Sequence, residues 1–236
     1  MKKRGATTIF RAVTNPLKNK SLVRGVWGVW LWALAACGSK PGSQSPAPAP
    51  TLPLPTAGLA GQPVSILPLT LVAAEDSLRW NAVLGDRAAT LARSDSVIES
   101  LLKARSPEIP WVAPEEVRRA ARRAPGVVTD PDQMATAILR AEKLTLVPDP
   151  LRSQLRTLAA VAGGGRYTLV PAALIYRRTG GAGVGVGRRT GTAELSIVLV
   201  DVRTGRIDWR TVARGEGDDP WSALARAVKA LTPGLP

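Results

Sequence analysis

"TAELSIVLVDVRTGRIDWRTVAR", residues 192–214, decides the fold class. Leu195, Ile197 and Leu199 alternate with Ser196 and Val198, the period of two expected for a strand with one strongly apolar face. Arg203-Thr204-Gly205 is a hairpin turn signal, and a second strand follows it. Two strands joined this tightly are antiparallel, so a purely parallel, doubly wound sheet is ruled out. "GDDPWSALARAVKALTPGLP" (217–236) then closes the chain with a helix. Asp219 is its cap, Pro220 its first residue, and Trp221, Leu224, Ala225, Val228 and Leu231 its inner stripe.

Working toward the amino terminus, "RYTLVPAALIYRR" (166–178) reads as a strand with a proline in it. "VSILPLTLV" (64–72) is another apolar, β-rich run, where Pro68 suggests an edge or a strand end. Helices are expected between these strands. Val97, Ile98, Leu101 and Leu102 give residues 86–104 a helical spacing, with Asp86 as its cap. Trp111-Val112-Ala113 is a very short strand, and Pro114 opens a helix with Glu115 and Glu116 in its first turn. Asp130-Pro131 begins a helix over 131–142, and Pro150 or Leu151 begins one that ends at the glycines of 162–166. The order β-α-β-α-α-α-β-β-β-α predicts an α/β fold. It is a mixed sheet flanked by helices, an α/β sandwich, with a carboxy-terminal β-hairpin and a final helix.

The chain has 236 residues, room for one domain plus tails. It contains no histidine and a single cysteine. A histidine-dependent triad, a histidine-ligated metal, a histidine pH switch, an internal disulfide and a thiolate metal cluster are all excluded. No cofactor and no metal are expected. Lys2, Lys3, Arg4, Arg11, Lys18, Lys20 and Arg24 precede an apolar run from Val26 to Ala36, which ends on small residues. A basic region followed by an apolar region too short to span a bilayer describes an export signal.

Leu34-Ala35-Ala36-Cys37, in that position, resembles the lipobox of bacterial lipoproteins. The resemblance implies cleavage ahead of Cys37 and acylation of its sulfur (palmitate and related chains), with Cys37 as the membrane anchor. Gly38 in place of Asp resembles cargo sorted to the outer membrane. The expected organisation is a signal peptide over 1–36, a lipid anchor and Pro-rich disordered linker over 37–62, and a periplasmic α/β domain over 63–236. The linker "GSKPGSQSPAPAPTLPLPTAGLAG" (38–61) favours extended or flexible backbone, a tether of roughly 60 Å when fully drawn out. Removal of the leader takes seven bases and no acid, leaving 25 Lys and Arg against 18 Asp and Glu, a balance of +7. Nucleic acid is not an expected partner of an exported chain. Anionic lipid or cell-wall polymer is the expected electrostatic one.

The strand at 64–72, "WVAPEEV", "RYTLVPAALIY", the hairpin and the last helix together resemble a group of periplasmic lipoprotein domains. The group includes the curli secretion channel subunit, the penicillin-binding-protein activator lipoproteins and the TolB amino-terminal domain. Asp201, Thr204, Gly205, Ile207 and Trp209 carry the closest match. Pro171-Ala172 stands where the group has glycine, the 125–163 region is long for it, and no channel-forming hairpin is evident. The resemblance implies a scaffold, a non-enzyme with an envelope protein as its partner.

Other motifs carry less. "GGAGVGVG" (180–187) contains no G-x-G-x-x-G window and is not followed by a helix, so it reads as a loop between strands. Arg118, Arg119, Arg122 and Arg123 are spaced to share a helix face, either solvated or in contact with an anionic surface. Asp218/Asp219, Asp130/Asp132 and Glu115/Glu116 sit where helix starts want negative charge. Ser65, Ser94, Ser96 and Ser222 have no histidine-type base; a Ser–Lys pairing stays open as an alternative, with no Ser-x-x-Lys spacing expected in the domain. Trp209 and Trp221 read as core residues. A cell-wall hydrolase or carbohydrate-active enzyme is the alternative function. Converging carboxylates in a pocket would favour it, whereas an open sheet edge would favour a binding module.

Overall fold

The computed structural model describes residues 49–179 and 190–233. Cys37, its leader and the Gly-rich 180–187 lie outside the described residues. In chain order the elements are α1 (Thr56–Leu59), β1 (Val64–Ile66), β2 (Val72–Ala74), α2 (Asn81–Leu84), α3 (Arg87–Arg105), β3 (Trp111–Val112), α4 (Pro114–Arg123), α5 (Leu151–Val161), β4 (Tyr167–Arg178), β5 (Gly191–Asp201), β6 (Arg206–Gly217) and α6 (Pro220–Lys229). Three 3-10 turns, at Asp76–Leu78, Pro131–Gln133 and Thr136–Arg140, complete them. The sheet has six strands in the order β3-β1-β4-β5-β6, with β2 also paired to β4. β1 is parallel to β3 and β4, β2 is parallel to β4, and β4-β5-β6 are antiparallel. The sheet is therefore mixed, as the hairpin required.

Each sheet face has its own core. On one side Leu169, Leu195, Ile197 and Leu199 pack with Ile98 and Leu102 of α3 and with Leu224 and Val228 of α6. On the other side Val170, Val198 and Val200 pack with Val117 of α4, with Leu155 and Leu158 of α5, and with Leu139 of the third 3-10 turn. Each fully buried Leu or Val contributes about 1.5–3 kcal/mol. The second face changes character along β5: Val200 and Val198 are buried, Ser196 is half-buried, and Glu194 and Thr192 replace apolar residues at the far end. Among the described residues helices cover only its apolar half.

The hairpin turn is built as its residues predict. The Asp201 carboxylate accepts the N–H groups of Arg203 (2.9 Å) and Thr204 (3.3 Å), and Gly205 takes a φ of +77°, which a glycine adopts without strain. The Asp219 carboxylate accepts from Trp221 and Ser222 and so caps α6. Gly215 lets α6 lie against β6, because a Cβ there would sit 2.2 Å from the Ala227 nitrogen.

Three expectations need correction. Residues 64–72 form two strands, not one. β1 and β2 both lie beside β4, and the chain leaves the sheet between them at Pro68. Pro171 of β4 faces that gap. Alternation from Leu169, whose carbonyl accepts from Leu67 N–H at 2.9 Å, points Pro171's missing donor where no strand asks for it. Residues 131–142 hold two 3-10 turns in place of an α-helix. The residues to be buried there are Pro131, Met134, Thr136 and Leu139, and Met134 and Thr136, two apart, cannot share one α-helical face. Finally, the Pro-rich stretch is not free up to residue 62. Leu54 and Leu59 are 5% and 2% exposed in the first core, Leu54 N–H bonds Leu231 O at 2.8 Å, and Gly61 N–H bonds Glu108 O at 2.9 Å. The two leucines supply the apolar burial that the proline pattern alone did not suggest.

Candidate functional site

α4 begins at Pro114, and its buried residues are Pro114, Val117, Ala120 and Ala121. Arg118 falls on the same stripe, four residues after Pro114 and three before Ala121, so its side chain turns inward. Its Nε donates to both Asp132 carboxylate oxygens (2.9 and 3.1 Å). Its Nη2 reaches Asp95 Oδ2 at 2.5 Å and Asp132 Oδ1 at 2.8 Å. Asp95, on α3, also accepts the Leu69 N–H at 2.8 Å. One guanidinium thus ties together α3, α4, the β1–β2 connection and the turn after Asp130.

Both partners are held above their ordinary values, for different reasons. Burial pushes Asp95 up to about 6, against the Leu69 N–H and Arg118, which favour its ionised form. Burial also works against the Arg118 charge, but Asp132 and Asp95 outweigh it and hold the guanidinium above its ordinary value. The carboxylate is the group that responds to pH, because the guanidinium stays charged throughout.

The remaining α4 arginines stay outside. Arg119, Arg122 and Arg123 are exposed, with Arg122 bonded to Glu115 at 2.7 Å. Among the described residues Arg119 and Arg123 make no ion pair. The four arginines therefore do not share one face: three face solvent and Arg118 is a structural clasp. A cavity of about 300 Å³ lies beside them, lined by Arg118, Arg122, Asp130, Asp132 and apolar neighbours. Asp95 does not line it. The i, i+3, i+4, i+7 spacing of Pro114, Val117, Arg118 and Ala121 was the signal for the inward arginine. Asp95, flanked by Ser94 and Ser96, had no comparable signal.

The other paired acids have local roles. Asp130 caps its turn through the Asp132 N–H, and Asp218 accepts from Thr190 at 3.2 Å. Contrary to expectation, one Ser-x-x-Lys spacing does occur, Ser100 and Lys103 on α3, yet Lys103 bonds Glu99 (2.8 Å) and Ser100 bonds the Val97 carbonyl (3.2 Å), so the two do not form a nucleophile–base pair. Trp209 is partly buried against the first core, and the Arg93 guanidinium lies 4.3 Å from the Trp221 ring centroid.

The uncovered half of the second sheet face carries a charge ladder. Arg177 reaches Glu194 (2.9 Å) and Glu75 (3.5 Å), and Arg214 reaches Glu194 (3.2 Å) and the Ala49 carbonyl (2.6 Å). Burial works against the Glu194 charge, but Arg177 and Arg214 overcome it and hold the carboxyl below the usual range. These groups neutralise one another across neighbouring strands.

No family model and no curated protein matches the chain. Several solved structures are similar at a distance. The PelC dodecamer from Paraburkholderia phytofirmans aligns with a TM-score of 0.35 and 12% identity, over 78% of this chain and 94% of that one. The LpoB carboxy-terminal domain from Salmonella enterica aligns with a TM-score of 0.32 and 15% identity, over 68% of this chain and 85% of that one. The NMR structure of Escherichia coli LpoB also gives 0.32 and 15%, over 91% of this chain and 96% of that one. At these scores and identities the likenesses carry no argument for a shared role.

Proposed function

We propose that this chain is an exported lipoprotein whose α/β domain works as a non-enzymatic binding or scaffold module in envelope assembly. It is held at the periplasmic face of the outer membrane by acyl groups on Cys37. The observation that carries the reading is Leu34-Ala35-Ala36-Cys37, set after a basic and then apolar leader and ahead of a chain that docks on its own domain from Ala49 onward. Arg119, Arg122 and Arg123 supply an exposed basic face suited to anionic lipid or wall polymer. An envelope protein is the proposed partner.

The hydrolase alternative has two features in its favour, the raised Asp95 and the carboxylates of Asp130 and Asp132 in the lining of the neighbouring cavity. Asp95 is enclosed, is held by Arg118 and the Leu69 N–H, and does not line the neighbouring cavity, while Asp132 is clasped by Arg118 and Asp130 caps its own turn. Asp95 is placed as a joint between elements more than as an acid facing substrate.

Intact-mass analysis of the protein made by its native cell is expected to show a chain beginning at an acylated Cys37. Cys37→Ser is expected to move it out of the membrane fraction. An unprocessed start, or a bare thiol at Cys37, defeats the proposal.

A further inference from the structure

β1 and β2 follow one another along the same side of β4, but among the described residues only β1 has an outer neighbour, β3. β2 is therefore an edge. Leu71 O accepts the Leu174 N–H at 2.9 Å, and Glu75 N–H donates to Tyr176 O at 3.0 Å. By strand alternation residues 71, 73 and 75 turn their peptide groups toward β4, while Val72 and Ala74 turn theirs outward. Beside this edge runs a groove of about 210 Å³, lined by Val72, Ala74, Asn81, Leu84, Arg87 and Thr90 among others. Arg87 is the charged member of the lining. Its Nη2 donates to Thr70 O at 2.7 Å, which leaves further guanidinium donors for a ligand.

We propose that β2 is a docking edge for an extended segment of another polypeptide, which adds as a further strand and sets an acidic side chain against Arg87. Outward peptide groups on residues two apart, about 6.6 Å along the chain, match the repeat of an extended backbone and not that of a helix. The charge of the groove selects an acid. A second copy of this chain is the competing occupant, and the test separates it by its dependence on protein concentration in the absence of peptide. The inference names a partner chemistry for the binding role proposed above and rests on that reading.

The test uses the full chain in detergent and a synthetic peptide of alternating Thr and Val around a central Glu. Hydrogen exchange is expected to slow about tenfold or more at the Val72 and Ala74 amides when the peptide is present. Ala74→Pro is expected to abolish binding, because it removes an outward donor while sparing the ladder to β4. The same peptide with alternate amides N-methylated is expected to fail against the unaltered chain, a control that leaves the protein untouched. Arg87→Glu is expected to weaken the Glu peptide about tenfold and to favour a Lys peptide instead. Absence of protection at Val72 and Ala74, or binding indifferent to both Ala74→Pro and N-methylation, overturns the proposal. Protection that appears without peptide and rises with protein concentration also overturns it, in favour of self-association. Acylation of Cys37 is read separately, so loss of the anchor with edge binding intact defeats the membrane reading alone.

Discussion

Asp95 is 4% exposed and is met by one guanidinium and one backbone N–H. An unfolded aspartate titrates near 3.8 and the folded one at about 6. The folded chain therefore holds this proton more tightly. The stability so gained is complete below about 3.8 and is lost as the pH rises through about 6. Its size is up to about 3 kcal/mol. Urea unfolding between about pH 4 and pH 7 is expected to show the advantage of the wild type relative to Asp95→Asn shrinking by up to that amount as pH rises. Arg118→Ala strands the Asp95 charge and is expected to cost about 3 kcal/mol at neutral pH, with part restored by adding Asp95→Ala. Sequence showed half of this joint. Arg118's place on the inner stripe of α4 is a matter of spacing, whereas its partner lies 23 residues away and is brought near only by the fold.

Period carried the reading at the scale of elements wherever one face had to be buried. The β5–β6 hairpin and α6 follow their alternation and spacing because a slip of one residue would turn Leu195, Ile197 and Leu199 to the wrong side. Residues 131–142 had helix-forming residues and a good start at Asp130, but tertiary contacts drew Met134 and Thr136 inward together and only 3-10 turns could satisfy both. Two substitutions test how the last layer is held. Gly215→Ala is expected to cost about 2–3 kcal/mol by forcing α6 away from β6. Asp219→Ala is expected to cost about 1 kcal/mol by removing the cap. Both are read from denaturant midpoints with an unchanged m-value.

For the whole molecule, composition placed the boundary between tether and domain too late. Prolines and alanines described residues 49–61 as unstructured, yet Leu54 and Leu59 anchor the stretch in the first core. Leu54→Ala is expected to cost about 2–4 kcal/mol, a loss that a passive spacer would not show in thermal or urea unfolding. Docking of this stretch bears on the anchorage proposed at Cys37. Under that proposal the tether is residues 38–48 in place of 38–61, a contour of about 35 Å at 3.1 Å per residue. For a chain held at Cys37, roughly halving the slack raises the local concentration of the domain near its anchorage about threefold. A partner embedded in the same bilayer would then be met more often than one diffusing beyond it, with no change to the binding surface itself.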